Sequence, residues 1–396
     1  MENKEFKYDV IVIGGLGHVG LPLGIVFATK DLNVCLLDLD KEKAETVAQG
    51  KMPYIENGAE PLLKEVLAKG NLTITLDQSV ISEAKVVIIT IGTPVDEYLN
   101  PETKGFFKFI KEIKQYLDPS QLLVIRSTVY PGTCDQILNQ LVYSEESGLL
   151  AYCPERISEG YAIEELGELP QVVAGVNQQS VDRAAALFDK ISPQIVYTTI
   201  KEAELIKLFS NAWRYIQFAI TNQFFMICEY FDVDYDRVRF AMTEGYKRTS
   251  GLPSAGFAAG PCLLKDTMML SAFYGNNFLL GHSAMMINEG LPNFIVDKLA
   301  KNHQLKNKTI GILGMAFKAE VDDIRDSLSY KLRKVLEFKC SEVLCSDEYV
   351  KSANFVSKEE LVKSADIVII GVPHAEYRKI EFPDNVDVLD IWGFLK

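Results

Sequence analysis

The 396-residue chain reads as an α/β protein with a doubly wound N-terminal domain, an all-helical central domain and a smaller C-terminal α/β domain. Three observations predict this. Short apolar runs alternate with helical patterns through the first half, helical periodicity dominates from about Glu202 to Asn302, and the alternation returns after Lys308. A chain of this length exceeds one compact core. The expected domains are residues 1–201, 202–302 and 303–396, with a ligand cleft between the outer two.

The first six strands are expected at Asp9–Ile13, Asn33–Asp38, Val86–Ile91, Leu122–Ser127, Leu149–Cys153 and Gln171–Gly175. Their near-continuous apolar character, without alternation, marks strands buried on both faces and therefore parallel βαβ units. Helical spacing then holds through Glu202–Phe231, Asp234–Thr243 and His282–Lys301, and a Gly/Pro/Ser/Ala loop at Ser250–Pro261 interrupts it. Strands at Thr309–Leu313, Glu342–Asp347, Asp366–Val372 and Val386–Asp390 complete the last domain.

A formal net charge of −13 argues against a nucleic-acid groove or an anionic membrane surface as the main partner. Seven cysteines, odd in number and scattered through apolar runs, suit reduced thiols in a cytoplasmic protein. The charged first eight residues do not resemble a signal peptide. The most apolar stretch, Tyr215–Phe231, carries Gln217, Thr221, Asn222, Gln223 and Glu229, which suits burial in protein better than in lipid. Four histidines without paired ligand spacing predict no metal site.

The first strand runs into Gly14-Gly15-Leu16-Gly17-His18-Val19-Gly20, which places Gly15, Gly17 and Gly20 as G-x-G-x-x-G between a strand and a helix. In a Rossmann-like domain the first glycine permits a tight turn, the second admits a pyrophosphate and the third packs helix on strand. A helical run follows the motif. Asp38 ends the second strand 18 residues after Gly20, where a carboxylate bonds ribose hydroxyls and repels a 2′-phosphate, so NAD is expected rather than NADP. A glycine-rich turn without a nucleotide is the alternative.

Two further strand ends, Ile91-Gly92-Thr93-Pro94 and Arg126–Thr133 with Thr128, lie where doubly wound sheets present ligand loops. Each also reads as an ordinary turn. Tyr152–Gly160 brings Glu155, Arg156 and Glu159 to another strand end, and a solvated ion pair would explain it equally. Lys207 and Asn211 stand four residues apart on an apolar helix. They are either a snorkelling lysine and a capping amide, or two donors aimed at an oxygen that becomes negative. In Gly260-Pro261-Cys262-Leu263-Leu264-Lys265-Asp266, Cys262 has a cation three residues on and a carboxylate four on. Small residues before it, Gly256 among them, would let a bulky ligand lie against backbone. Lys265 would lower the thiol pKa and Asp266 would order water; a lone cysteine beside proline would otherwise be structural.

Taken in order, these segments resemble the nucleotide-sugar 6-dehydrogenase family, the UDP-glucose, UDP-N-acetylmannosamine and GDP-mannose dehydrogenases. The resemblance runs through Gly15–Pro22, Gly92–Pro94, Ser127–Thr133, Pro154–Gly160, Glu202–Asn211, Gly260–Asp266 and Gly314–Ser327, nearly the whole chain. It implies four-electron oxidation of a nucleotide-activated hexose, UDP-linked, at C6. Cys262 would be the nucleophile, Lys207 and Asn211 would steady the C6 oxygen, and Asp266 would position water. Glu155, with Thr128 nearby, would handle protons in the water steps. The resemblance assigns Gly15, Gly17, Val19, Gly20, Asp38, Thr93, Pro94, Thr128, Lys265 and Arg325 to NAD. It assigns Glu155, Arg156, Glu159, Lys207, Asn211, Gly256 and Lys318 to the sugar nucleotide, and Arg248 to the partner subunit's sugar site in a homodimer built on the central helix.

Ala259-Gly260 and Leu264 depart from the family pattern of a Gly-Gly pair before the cysteine and a proline two residues after it, so the sugar stays unnamed. The Arg248-to-Cys262 spacing is closer to the N-acetylmannosamine branch. Two other readings are a two-electron β-hydroxyacid dehydrogenase, which needs neither Cys262 nor a third domain, and a non-catalytic NAD- or nucleotide-sugar-binding regulator.

Overall fold

The computed structural model describes residues 5–93, 96, 103–141 and 148–395, and the chain divides into two compact units, Met1–Phe209 and Ser210–Lys396. In the first unit, strands β1 (Tyr8–Ile13), β2 (Val34–Leu37), β3 (Leu72–Thr75), β4 (Ala84–Ile89), β5 (Leu122–Ile125), β6 (Leu150–Tyr152), β7 (Gln171–Gly175) and β8 (Ile195–Tyr197) form one sheet. Its order is β3-β2-β1-β4-β5-β6-β7-β8. Helices α1 (Gly20–Thr29), α2 (Lys41–Ala48), α3 (Ala59–Lys69), α4 (Thr103–Ile113), α5 (Thr133–Leu141), α6 (Ala162–Glu168) and α7 (Gln178–Phe188) connect the strands.

Alternate side chains of the central strands enter opposite layers. Val10, Val12, Leu36, Ile88 and Val124 pack with α1, α3 and α7, whereas Ile11, Ile13, Leu37, Ile89 and Ile125 pack with α4 and α5. Burial on both faces explains the continuous apolar runs in the sequence. The strand order reverses between β1 and its neighbours β2 and β4, the switch point where such sheets bind ligands beyond their carboxyl ends.

Two features differ from the sequence expectation. The edge strands β3 and β8 lie outside the expected set: β3 alternates apolar residues with threonine and is mostly half-buried or exposed, and β8 is largely exposed, so neither reads as a strand buried on both faces. The sheet is also not parallel throughout, because β7 pairs antiparallel with β6. Gln171, the first residue of β7, accepts from the Arg126 guanidinium at 2.8 Å and donates to the Pro154 carbonyl at 3.3 Å. The strand thus starts where β5 and β6 end and has to run back.

The helix α8 (Ile200–Tyr230) leads into the second unit, which continues with α9 (Tyr235–Thr243), α10 (Leu263–Phe273) and α11 (Leu279–Asn302). It ends in a parallel sheet of β9 (Thr309–Leu313), β10 (Glu342–Ser346), β11 (Ile367–Ile370) and β12 (Asp387–Asp390), ordered β10-β9-β11-β12, with α12 (Leu328–Glu337) and α13 (Lys358–Ser364). No helix among the described residues is long and apolar enough to cross a membrane.

A buried amide network fixes the loop before Cys262. Asn222 on α8 donates to the Gly256 carbonyl at 3.0 Å and to Asn288 on α11 at 2.9 Å, and accepts from the Gly256 N–H at 2.9 Å. Asn288 in turn donates to the Tyr215 carbonyl at 3.0 Å. These contacts account for the wholly buried asparagines Asn222 and Asn288. Asn222→Ala would leave several buried groups unpaired, each costing about 1–3 kcal/mol. We expect a loss of about 2–4 kcal/mol in denaturant unfolding; a loss under about 1 kcal/mol would contradict the network's role.

Candidate active site

The loop after β1 is built by packing constraints. Gly14, at φ +78°, takes the left-handed conformation just ahead of the motif's first glycine. A Cβ on Gly15 would lie 2.8 Å from the Val12 carbonyl, and one on Gly20 would lie 2.3 Å from the Gly14 carbonyl. Gly15 thus lets the turn lie against β1 and β2, and Gly20 lets the start of α1 lie against the turn. Gly17 differs: a Cβ there would have only the Gly14 carbonyl, at 3.5 Å, in reach, so backbone is open to a ligand at this point. Val19, the residue before α1, provides no side-chain cap, which leaves first-turn N–H groups for an anion.

Asp38 follows β2. Its carboxylate accepts the Leu16 N–H at 2.9 Å, while its other oxygen accepts from Leu39 at 2.8 Å. The acidic residue is thereby tied to the glycine loop. Thr90 after β4 donates to the Gly14 carbonyl at 3.1 Å, Ser127 after β5 to the Ile91 carbonyl at 2.7 Å, and Thr93 to the Thr128 carbonyl at 2.6 Å. Three strand ends are thus laced together, with Thr93 and Thr128 side by side. Pro94 lies outside the described residues.

The loop after β6 joins this group through His18, whose Nδ1 pairs with Glu159 at 2.7 Å. The His18 ring stacks 3.9 Å from Tyr54, and the Tyr54 hydroxyl donates to the Gly17 carbonyl at 2.9 Å. Glu155 is buried. It pairs with the Arg126 guanidinium and accepts backbone N–H groups of Arg156 and Ile157 at 2.6 and 2.8 Å. With about four lone-pair positions on an ionised carboxylate, three partners leave room for one more donor. Arg156 turns its guanidinium to the Pro170 carbonyl.

Lys207 and Asn211 are buried one turn apart on α8. Glu204, wholly buried on the same helix, accepts from the N–H groups of Gly132 and Cys134 at 2.6 and 3.0 Å, and burial raises its pKa. It caps α5 from a distance. Its one sequence signal was a carboxylate on the buried side of the helix.

In the second unit, Asp266 has no exposed surface. Its carboxylate accepts the Asn211 amide at 2.6 Å and pairs with the Lys265 ammonium at 2.6 Å. Lys265 thus has a carboxylate partner besides any part it plays near Cys262. Cys262 is exposed at the N-cap of α10 and its carbonyl accepts the Asp266 N–H at 2.9 Å. By contrast, burial pushes the Cys153 thiol up to about 12 and the Cys345 thiol to about 11, which silences them as nucleophiles. Gly260 (φ +102°) and Gly256 (φ +151°) shape the loop, since a Cβ would meet the Phe317 ring at 2.6 Å or the Trp392 ring at 2.3 Å.

The second sheet repeats the local design of the first. Gly314 (φ +94°) follows β9 as Gly14 follows β1. Asp347 after β10 accepts the Met315 and Ala316 N–H groups at 2.6 and 2.9 Å. The loop that follows carries Lys318, half-buried, and Arg325, exposed and paired with Asp323. Arg248 is exposed, with its guanidinium donating to the Tyr246 hydroxyl at 3.1 Å.

Burial raises the pKa of Asp347, but hydrogen bonds from His374 and from the Met315 and Val350 N–H groups outweigh it and hold the carboxyl at about 2, below its ordinary 3.8. A depressed carboxyl stabilises the fold above the unfolded value and loses that contribution as pH falls through about 2. The difference corresponds to about 2 kcal/mol. Acid unfolding of Asp347→Asn should therefore depend less steeply on pH between about 4 and 2 than that of the parent; equal slopes would contradict the assignment.

An open glycine, an uncapped helix start and a carboxylate closing β2 fit a dinucleotide, and by class the protein is an NAD-dependent dehydrogenase. The UDP-glucose/GDP-mannose dehydrogenase family matches it in three stretches: the NAD binding domain over residues 9–192, the central domain over 201–289 and the UDP binding domain over 311–395. The chain belongs to this family. It is 29% identical over 388 residues to the UDP-N-acetyl-D-mannosamine dehydrogenase of Methanocaldococcus jannaschii, covering 94% of this chain and 88% of the relative. It is 24% identical to the NDP-N-acetyl-D-galactosaminuronic acid dehydrogenase of Ralstonia nicotianae, covering 95% and 93%. Among solved structures, the UDP-D-ManNAc dehydrogenase of Pyrococcus horikoshii superposes with a TM-score of 0.90 at 26% identity, covering 98% of this chain and 96% of the other. The UDP-glucose dehydrogenase of Pyrobaculum islandicum shares the fold, with a TM-score of 0.88 at 22% identity and coverage of 100% and 97%.

Proposed function

We propose that this chain oxidises the C6 hydroxyl of a nucleotide-activated hexose to a carboxylate through a thioester on Cys262. The observation that carries the reading is an exposed cysteine heading the helix whose first turn holds Asp266, Lys265 and, through Asp266, Asn211. Bound NAD supplies the hydride acceptor in each of two oxidations. In the first, the C6 alcohol loses a hydride and a proton, and water ordered by Asp266 carries the proton away. The Cys262 thiol then adds across the aldehyde, giving a thiohemiacetal. Loss of a second hydride and proton leaves the thioester, and water cleaves it to the acid and the thiol.

Lys207 and Asn211 stabilise the C6 oxygen as it gains charge, an effect of about 3 kcal/mol per well-placed donor. Glu155 orients the hydrolytic water with the lone-pair position its three partners leave, and Thr128 stands beside the cofactor loop. Lys318 approaches the nucleotide sugar and Arg325 the cofactor. The relatives' names and the Arg248 spacing favour a UDP-linked 2-acetamido hexose. NADH production from UDP-N-acetylmannosamine, UDP-N-acetylglucosamine, UDP-glucose, UDP-galactose and GDP-mannose tests this, and no turnover with any UDP-sugar would contradict it.

The enzyme acts as a homodimer in this reading. Trp213, Ile220, Phe224, Ile227 and Phe231 form a stripe along α8 and its end, 38–66% exposed, at the helical spacing that a second copy would cover. Arg248 then serves the partner subunit's site. Sedimentation of the whole enzyme should give twice the chain mass; a monomer at micromolar concentration would overturn the dimer.

A further inference from the structure

We infer that His374 is a positioning residue for the nucleotide sugar, acting through the loop that presents Lys318. The inference rests on the proposed role of Lys318. His374 is wholly buried beyond β11, a place where neither the cofactor loops nor Cys262 requires a histidine. Its Nδ1 accepts the Glu320 N–H at 3.0 Å, and its Nε2 lies 3.2 Å from Asp347 Oδ2. A backbone N–H can only donate, so Nδ1 must be the unprotonated nitrogen and Nε2 carries the hydrogen toward Asp347. The tautomer is thereby set by its partners.

This pair holds the loop at two places. Asp347 takes the N–H groups of Met315 and Ala316, and His374 takes that of Glu320, so Phe317, Lys318 and Ala319 are suspended between them. Glu320 needs the hold: its φ of +61° is a left-handed conformation that a residue with a Cβ adopts at a cost. The Phe317 N–H also donates to the Asp323 carbonyl at 2.9 Å, folding the loop back on itself. The imidazole is wedged between the Tyr349 ring at 4.9 Å and the Tyr377 ring at 5.3 Å, and Tyr349 is fixed in turn by a 2.8 Å bond to Glu376. Such enclosure leaves His374 one orientation, and through the Glu320 N–H it imposes that orientation on the loop next to Lys318.

His374→Phe keeps the ring volume and removes both nitrogens, whereas His374→Gln keeps one donor and one acceptor. With UDP-N-acetylmannosamine, or whichever UDP-sugar in the panel turns over, the Phe variant should raise KM for the sugar roughly tenfold. Its kcat and its KM for NAD should stay within about twofold, the pattern of lost ground-state binding. Exchange of the Glu320 amide with deuterium should accelerate, and the Gln variant should recover part of both effects. Adding Lys318→Met to His374→Phe should raise KM no further than Lys318→Met does alone. A folded Phe variant with unchanged sugar KM, in an enzyme where Lys318→Met does raise it, would overturn the inference. An unchanged Glu320 exchange rate would do so as well. If Lys318→Met itself leaves KM unmoved, the reading of Lys318 fails, and the positioning inference falls with it.

Discussion

Cys262→Ser is expected to reduce acid formation by roughly four orders of magnitude or more, the scale seen when a nucleophile is removed from a group of residues that act together. The thiol is exposed at the start of α10, so the substitution disturbs no core and the unfolding midpoint should stay put. Serine offers an oxygen in the same place, but a hydroxyl is a far weaker nucleophile at neutral pH than a thiol. Among the other cysteines, Cys35, Cys134, Cys153 and Cys345 are buried and Cys228 and Cys340 half-buried, and burial raises the pKa of each, which weakens all six as substitutes. Intact mass after mixing with substrate and NAD provides the second readout: an adduct on the parent and none on the variant. Acid formation within tenfold of the parent would show that Cys262 is not the nucleophile.

Asp266→Asn is expected to lower kcat by about 10²–10³, in the range for loss of a proton-handling group. The isosteric amide fills the same space, but it replaces a carboxylate that holds Asn211 and Lys265 at 2.6 Å each. Lys265, partly exposed, can turn its ammonium to water, whereas the buried Asn211 would lose its charged partner and with it the orientation proposed for it toward the C6 oxygen. Both the ordering of water and the placement of a donor then suffer from one change. Steady-state kinetics beside an unchanged circular dichroism spectrum would separate this from unfolding. A kcat within threefold of the parent would make the Asp266 carboxylate structural.

Much of this arrangement is legible in the amino-acid sequence itself. Continuous apolar runs located most strands of the first sheet because burial on both faces leaves no polar side to alternate with. In the second sheet the same reason holds for β9 and β11, whereas β10 and β12 are only partly buried. The glycine spacing located the cofactor turn, in which Gly14, just ahead of the motif, takes the left-handed conformation. Asn211 and Asp266 were readable as chemistry-bearing types, but their direct contact spans 55 positions and no local pattern reports it. The same holds for Glu204, which caps a helix some 70 positions away, and for the reversal of β7, set by the Arg126–Gln171 contact. His374 and Asn222 were silent because a buried polar residue is defined by partners that only the fold assembles.

The most direct measurement of the central claim is the number of NADH molecules formed per uronate released when excess NAD oxidises a limiting amount of nucleotide sugar. An enzyme that holds the aldehyde on Cys262 and oxidises it again produces two, with no free aldehyde trapped by an added amine. One NADH per sugar, with an aldehyde or ketone as the product, would contradict the thioester route.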